Sequence, residues 1–158
     1  MGKQGTKIVG VDVKELISDL NKAYCDEWLA YYAYWYMSKT VTGKGYEDMG
    51  EFLSKIAKDE EEHAQELADR IQELGGVPLV NPMELEKNAN APYPKPPKDM
   101  ADYDKIIKVV LDAEAGAIDV YNKLAEKTKD KDYATHQLIV HILSEEIKHE
   151  QMFEDLLG

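Results

Sequence analysis

Two short strings place a glutamate and a histidine three residues apart: EEEH at 60–63 and EIKH at 146–149. Three residues is close to one helical turn, so on a helix Glu60 shares a face with His63, and Glu146 with His149. A carboxylate beside an imidazole is a natural ligand pair for a divalent transition ion. One such pair is common in any glutamate-rich helix. Here each pair is preceded by a lone glutamate, Glu27 and Glu114, and each of these is followed seven residues later by a tyrosine, Tyr34 and Tyr121. The repetition, more than either string, is the signal.

Helical periodicity places all six residues in one layer. Core-facing positions recur every three to four residues. They read Val13, Leu16, Leu20, Tyr24, Glu27, Tyr31 and Tyr34 in the first segment, and Met49, Phe52, Ile56, Glu60, His63, Leu67, Ile71 and Leu74 in the second. The third gives Ile107, Val110, Glu114, Ala117 and Tyr121, and the fourth Leu138, Ile142, Glu146, His149, Phe153 and Leu156. Each stripe is apolar except for one carboxylate, and two add a histidine. Four buried anions would oppose folding. Two divalent cations neutralise them, with one imidazole for each ion. In the acidic run at 59–62 only Glu60 falls in register, so Asp59, Glu61 and Glu62 are expected to be solvated. An oxygen-rich donor set with one nitrogen per ion favours iron or manganese, whereas a closed structural zinc site prefers four ligands, often thiolates.

The elements that must hold these residues are helices. All six prolines lie between Pro78 and Pro97, and the rest of the chain is strongly helical in composition. Four long helices are predicted, at about 12–39, 46–74, 104–127 and 133–157. Asp12 and Glu15 form a capping pair at the first, and Gly75-Gly76 before Pro78 stops the second. A short turn is expected at 82–87, with Asn81 as cap and Pro82 in first position. Short links make each helix pair an antiparallel hairpin. The Pro-rich connection at 75–103 is far longer than an ordinary loop, as a chain crossing the length of a bundle requires. The expectation is one all-α domain over 1–158, a four-helix bundle with one long crossover and an N-terminal arm at about 1–11.

Bulk properties exclude other classes. The net charge of −12 disfavours adhesion to nucleic acid, and 44% hydrophobic with 32% charged residues is not the composition of a disordered chain. No apolar run reaches membrane-span length, and the first residues lack a signal-peptide pattern. A cytoplasmic protein is expected. Cys25 stands alone, which rules out an intrachain disulfide and a paired-cysteine metal knuckle.

With these residues in place, the chain resembles the ferritin-like di-iron family, and most of all its Dps-like subgroup with a bacterioferritin-type site. The likeness covers about 8–157 and includes ELGGVP after the second helix. It implies the ferritin-like bundle and a ferroxidase that oxidises Fe(II) with H2O2 or O2 and stores Fe(III) in a cage. It further implies two Fe per subunit, with Mn or Zn as substitutes. Glu60 and Glu146 match bridging carboxylates, Glu27 and Glu114 terminal ones, and His63 and His149 complete the two metals. Tyr34 matches a tyrosine beside the centre, and spacing makes Tyr121 its counterpart.

Two departures bear on cofactors. Glu61 stands where bacterioferritin presents its haem methionine, so no haem is expected, and Met49 and Met152 are read as packing. Gly116 stands where relatives carry a cysteine, so thiol chemistry is not expected. Only nine residues follow His149, too few for the fifth helix of larger cages, which implies a dodecamer. Trp28, Tyr32 and Trp35 point to a subunit interface in that assembly. His136 and His141 are expected at the surface or in subunit contacts, and Cys25 as a small buried filler. Lys3 and Lys7 are too few to argue DNA binding. Two rival readings stay open: a peroxidase or di-manganese catalase of the same fold without mineral storage, and a bundle that binds no metal.

Overall fold

Caps and glycines mark where each helix begins and ends. The structure is a computed structural model describing residues 2–158, so Met1, the first residue of the expected arm, lies outside the described residues. Its helices are α1 (Lys3–Lys7), α2 (Val13–Thr40), α3 (Tyr46–Glu73), α4 (Leu85–Asn88), α5 (Tyr103–Thr128) and α6 (Tyr133–Leu157). Asp12 accepts from the Glu15 N–H at 2.8 Å, Asp102 from Lys105 at 3.1 Å and Asp132 from Thr135 at 3.2 Å. Each carboxylate satisfies an N–H that the first helical turn leaves without a partner. The end of α3 is closed by Gly75 at φ 87°, where the Gly76 N–H reaches the Ile71 carbonyl at 2.8 Å and the Gly75 N–H reaches Gln72 at 2.9 Å. The predicted turn after Asn81 is a 3-10 turn, Pro82–Glu84, running into α4. The one-turn helix α1 is an addition to the expected arm and buries nothing.

The four long helices form an all-α bundle, with α2 and α3 as one hairpin and α5 and α6 as the other. The crossover runs back along α2. Asn21 donates to the Val77 carbonyl and accepts from the Leu79 N–H, and Asp26 accepts from the Asn90 and Ala91 N–H groups. Farther along, the Thr42 N–H reaches the Met100 carbonyl at 3.1 Å. The connection therefore carries the chain from one end of the bundle to the other, as its length implied.

Two apolar clusters fill the interior. One includes Leu16, Leu20, Leu67, Ile71, Tyr121 and Ile139, the other Met37, Leu53, Ile56, Ile106, Val110 and Phe153. The buried glutamates and histidines lie in the interior with them. Two expectations need correction. Leu156, expected in the core, lies in the last turn of α6 and is 49% exposed. His136 is no surface group: its Nδ1 lies 2.9 Å from the Ala125 carbonyl and 3.2 Å from Thr128 Oγ1, tying α6 to the end of α5. Trp28 is half-buried and packs edge-on against Tyr24 and Tyr31, while Tyr32, Trp35 and Tyr36 remain exposed. No described helix is long and apolar enough to cross a membrane.

Candidate metal centre

Each long helix delivers its carboxylate to the middle of the bundle. Glu27 comes from α2, Glu60 and His63 from α3, Glu114 from α5, and Glu146 and His149 from α6. All six are at most 3% exposed. Their donor atoms form two quartets, Glu27–Glu60–His63–Glu146 and Glu60–Glu114–Glu146–His149, each with all ligand atoms within 4.8 Å of one another. Glu60 and Glu146 belong to both. Two adjacent donor groups that share two carboxylates, each able to hold a cation, are thus laid out by side chains alone.

Burial without partners is the decisive feature. Glu60 Oε1, Glu114 Oε2, Glu146 Oε1, His63 Nδ1 and His149 Nδ1 are buried with no hydrogen-bond partner. Leaving such atoms unpaired costs roughly 1–3 kcal/mol each, more for charged groups. They approach one another closely all the same. His63 Nδ1 lies 2.9 Å from Glu146, 3.4 Å from Glu60 and 3.8 Å from Glu27. His149 Nδ1 lies 3.3 Å from Glu60 and 3.6 Å from Glu114. The donors face a shared space rather than pair off, which fits cations at its centre.

Crowding sets the proton affinities. Burial, then repulsion by Glu114 and Glu27, pushes the Glu60 carboxyl up to about 8. Burial and the neighbouring Glu60 and Glu114 raise Glu146 well above the carboxylate range. Burial alone would lower both histidines. The carboxylates outweigh it, raising His149 to about 10 through Glu114 and Glu60, and His63 further through Glu146, Glu27 and Glu60. Glu27 goes the other way: burial would raise it, but contacts with His63, Glu60 and Tyr121 hold it below its ordinary value. Protons held on these groups therefore offset the carboxylate charge at neutral pH.

The outer layer crosses between hairpins. Tyr34 on α2 donates to Glu114 on α5 at 2.8 Å, and Tyr121 on α5 donates to Glu27 on α2. Burial, then the carboxylate each faces, pushes both phenols well above their usual range, so both stay protonated donors. The histidines are clasped the same way: His63 Nε2 lies 2.7 Å from Glu145 on α6, and His149 Nε2 lies 3.2 Å from Asp59 on α3. A carboxylate on Nε2 holds a proton there and aims Nδ1 inward, where its lone pair becomes available to an ion once its own proton leaves. This corrects the reading of Asp59 as merely solvated, and it adds Glu145, which register alone did not select. The available signal was an acidic residue directly ahead of the glutamate in each glutamate–histidine pair, Asp59-Glu60 and Glu145-Glu146. Glu61 and Glu62 take no part. His141 is exposed, 3.6 Å from Glu145 and 3.9 Å from Glu66. Cys25 is fully buried, and burial, then the charge of Asp26, pushes its thiol up to about 11, as befits a filler.

Comparison with known proteins places the chain in a family. Residues 17–158 match the family model for the ferritin-like domain. The DNA protection during starvation protein of Pyrococcus furiosus is 35% identical over 94% of this chain and 80% of its own length. The bacterial non-heme ferritin of Staphylococcus saprophyticus is 30% identical over 89% of this chain and 80% of its own. Among solved structures, the bacterioferritin-related protein of Bacteroides fragilis, described as a dodecameric thioferritin, superposes with a TM-score of 0.93 at 39% identity, covering 99% of this chain and 93% of that one.

Proposed function

Because this chain belongs to the ferritin-like domain family, we propose that it is an iron-storage and iron-detoxification subunit whose buried centre oxidises Fe(II). The observation that carries this is the pair of quartets sharing Glu60 and Glu146, with five buried donor atoms left unpartnered. Four carboxylates and two neutral imidazoles balance two divalent ions, so Fe(II) is the substrate that the site is charged to accept. Glu60 and Glu146 serve both ions. Glu27 with His63 and Glu114 with His149 complete one position each, and manganese or zinc would compete for the same donors. Tyr34 and Tyr121 hold the terminal carboxylates Glu114 and Glu27 in place.

Two metal ions side by side give up two electrons together. Hydrogen peroxide takes up two electrons when its O–O bond breaks, so it can be consumed without releasing a one-electron radical. Dioxygen is the other oxidant. Protons held by the histidines and carboxylates leave as the ions bind. The product Fe(III) passes to a mineral inside a cage of identical chains. Twelve chains is the proposed number, supported by the dodecameric relative at 39% identity.

Anaerobic Fe(II) oxidation tests the reading. Addition of H2O2 to protein holding two Fe(II) per chain is expected to oxidise both ions per peroxide, and after repeated additions of Fe(II) and peroxide iron counting on the assembled particle should exceed the capacity of the centres. Glu60→Ala, Glu146→Ala and His63→Ala should abolish the fast phase, while Glu61→Ala and Glu62→Ala keep it. Disproportionation of peroxide with no iron retained would replace storage with a catalase of the same fold.

A further inference from the structure

On one side the centre opens into a space larger than the oxidants just named require. A cavity of about 240 Å³ lies between α2 and α5 beneath the crossover. Glu27, Glu60, Glu114 and Glu146 form one end. Leu29, Ala30, Val109, Ala113, Ala117 and Val120 supply the walls, and the crossover covers it with Pro92, Tyr93 and Pro94. Gly116 also lines it, and a Cβ added there would meet nothing within 4 Å. The cover is pinned in place: Asp26 accepts from the Asn90 N–H at 2.9 Å and the Ala91 N–H at 3.1 Å. The space is therefore preformed.

Size and polarity say what it suits. An apolar cavity of roughly 150 Å³ accommodates a benzene ring, whereas one water claims only about 30 Å³. Dioxygen or hydrogen peroxide would fill a small part of this volume, and the apolar walls offer them no hydrogen bond. By the same scaling the space suits a hydrocarbon group of up to about ten heavy atoms. Asp26 and Asp112 line it too, and with a net charge of −12 they favour a neutral occupant over an anion.

We propose that this cavity seats the hydrocarbon part of a small neutral organic hydroperoxide, whose peroxide end reaches the carboxylate end of the space. The proposal rests on the ferroxidase reading and extends its oxidants to alkyl and aryl hydroperoxides. The reaction balances as ROOH with two Fe(II) and two protons giving ROH, water and two Fe(III). The O–O bond breaks, each Fe(II) gives one electron, and one proton goes to each oxygen. Binding the hydrocarbon group holds the peroxide against the centre, a proximity contribution that H2O2 lacks.

The test compares H2O2, tert-butyl hydroperoxide and cumene hydroperoxide as oxidants of protein-bound Fe(II) under argon by stopped flow, in wild type and Gly116→Leu. All three should oxidise two Fe(II) per molecule in wild type. Gly116→Leu places a side chain in the open space and should slow the two organic oxidants by about tenfold or more. It should leave H2O2 within about twofold, because Gly116 is not among the six ligands. Val120→Phe narrows the same cavity and decides the matter if Gly116→Leu misfolds. A separate measurement needs no metal: saturation-transfer NMR of 2-phenylpropan-2-ol should show binding to metal-free wild type and loss of binding in Gly116→Leu. Oxidation by H2O2 with none by the organic peroxides overturns the proposal alone, as does equal slowing of all three in both variants or no alcohol binding. Fe(II) left unoxidised by all three peroxides and by dioxygen admitted afterwards overturns the ferroxidase reading and the proposal with it, and oxidation by dioxygen alone overturns the proposal.

Discussion

Replacing Glu145 with glutamine tests whether the crossing carboxylates orient the metal-facing histidines. In the loaded centre the His63 Nε2–H would donate to Glu145, 2.7 Å away in this structure, leaving Nδ1 for the ion. Glutamine can still accept that hydrogen bond through its carbonyl, but without charge. Hydrogen bonds to charged groups contribute about 1.5–3 kcal/mol and neutral ones about 0.5–1.5, so the change removes about 1–1.5 kcal/mol. The Glu145 side chain is 42% exposed, and solvent screening takes the effect to the lower end. At about 1.4 kcal/mol per decade, metal affinity should fall between about fivefold and tenfold. Asp59→Asn acts on the other ring at 3.2 Å and should cost somewhat less. Because both rings meet Glu60, the double variant should depart from the product of the two losses. Cobalt(II) titration under argon, followed by its visible absorption and by competition with a chelator, measures these affinities. Glu62→Gln is the control. If Glu145→Gln and Asp59→Asn stay within twofold of that control, packing alone orients the rings and the crossing pairs are incidental.

Metal binding should release protons and tighten as pH rises from 6 to 8. His149 at about 10 and Glu60 at about 8 hold protons that the ions must displace; calorimetry in buffers of different ionisation enthalpy reads the number released, and a pH-independent affinity would refute it. Arg70→Met should destabilise the fold by about 2–4 kcal/mol in urea titrations, because it strips the buried Asp132 carboxylate of a guanidinium that contacts both its oxygens at 3.2 Å, while Thr135 keeps it partly satisfied. Despite its burial, Asp132 is held below its ordinary 3.8 by Thr135 and Arg70. Its folded value lies under its unfolded one, so its contribution is present above pH 3.8 and lost as pH falls through the folded value; Asp132→Asn should flatten that acid limb. Gly75→Ala should cost about 1–2 kcal/mol, measured the same way, because φ of 87° lies in the left-handed region.

The six inward donors were legible because residue type and helical period agree at each one: a glutamate in an apolar stripe has few readings, and four in one layer have fewer. The same rule hid Asp59 and Glu145. Each sits one residue ahead of a stripe position, rotated toward the surface, and the ring it serves belongs to the opposite hairpin, which periodicity within one helix cannot reveal. Asn21 and Asp26 were illegible for a similar reason: on α2 they look like ordinary exposed polar residues, and only the path of the crossover gives them work. His136 is the converse, off the core stripe of its own helix yet bonded to the end of α5. Boundaries were read within a residue or so wherever a cap or glycine marked them. Leu156 shows the limit of extending a period to a terminus, where no neighbouring helix remains to receive it.

Neither quartet is complete within one hairpin. The first takes Glu146 from the α5–α6 half, and the second takes Glu60 from the α2–α3 half. Each half, counted separately, owns one lone glutamate, one glutamate–histidine pair, one tyrosine and one acidic residue for the other half's ring. Two copies of either hairpin facing each other across a twofold axis would therefore supply every donor in this centre. The chain has the grammar of a homodimer written as one sentence, with the crossover as the conjunction. Covalent joining frees the halves from identity, so that α5 can carry Gly116 where α2 carries the bulkier Leu29, and a cavity can open beside the four glutamates beneath the crossover.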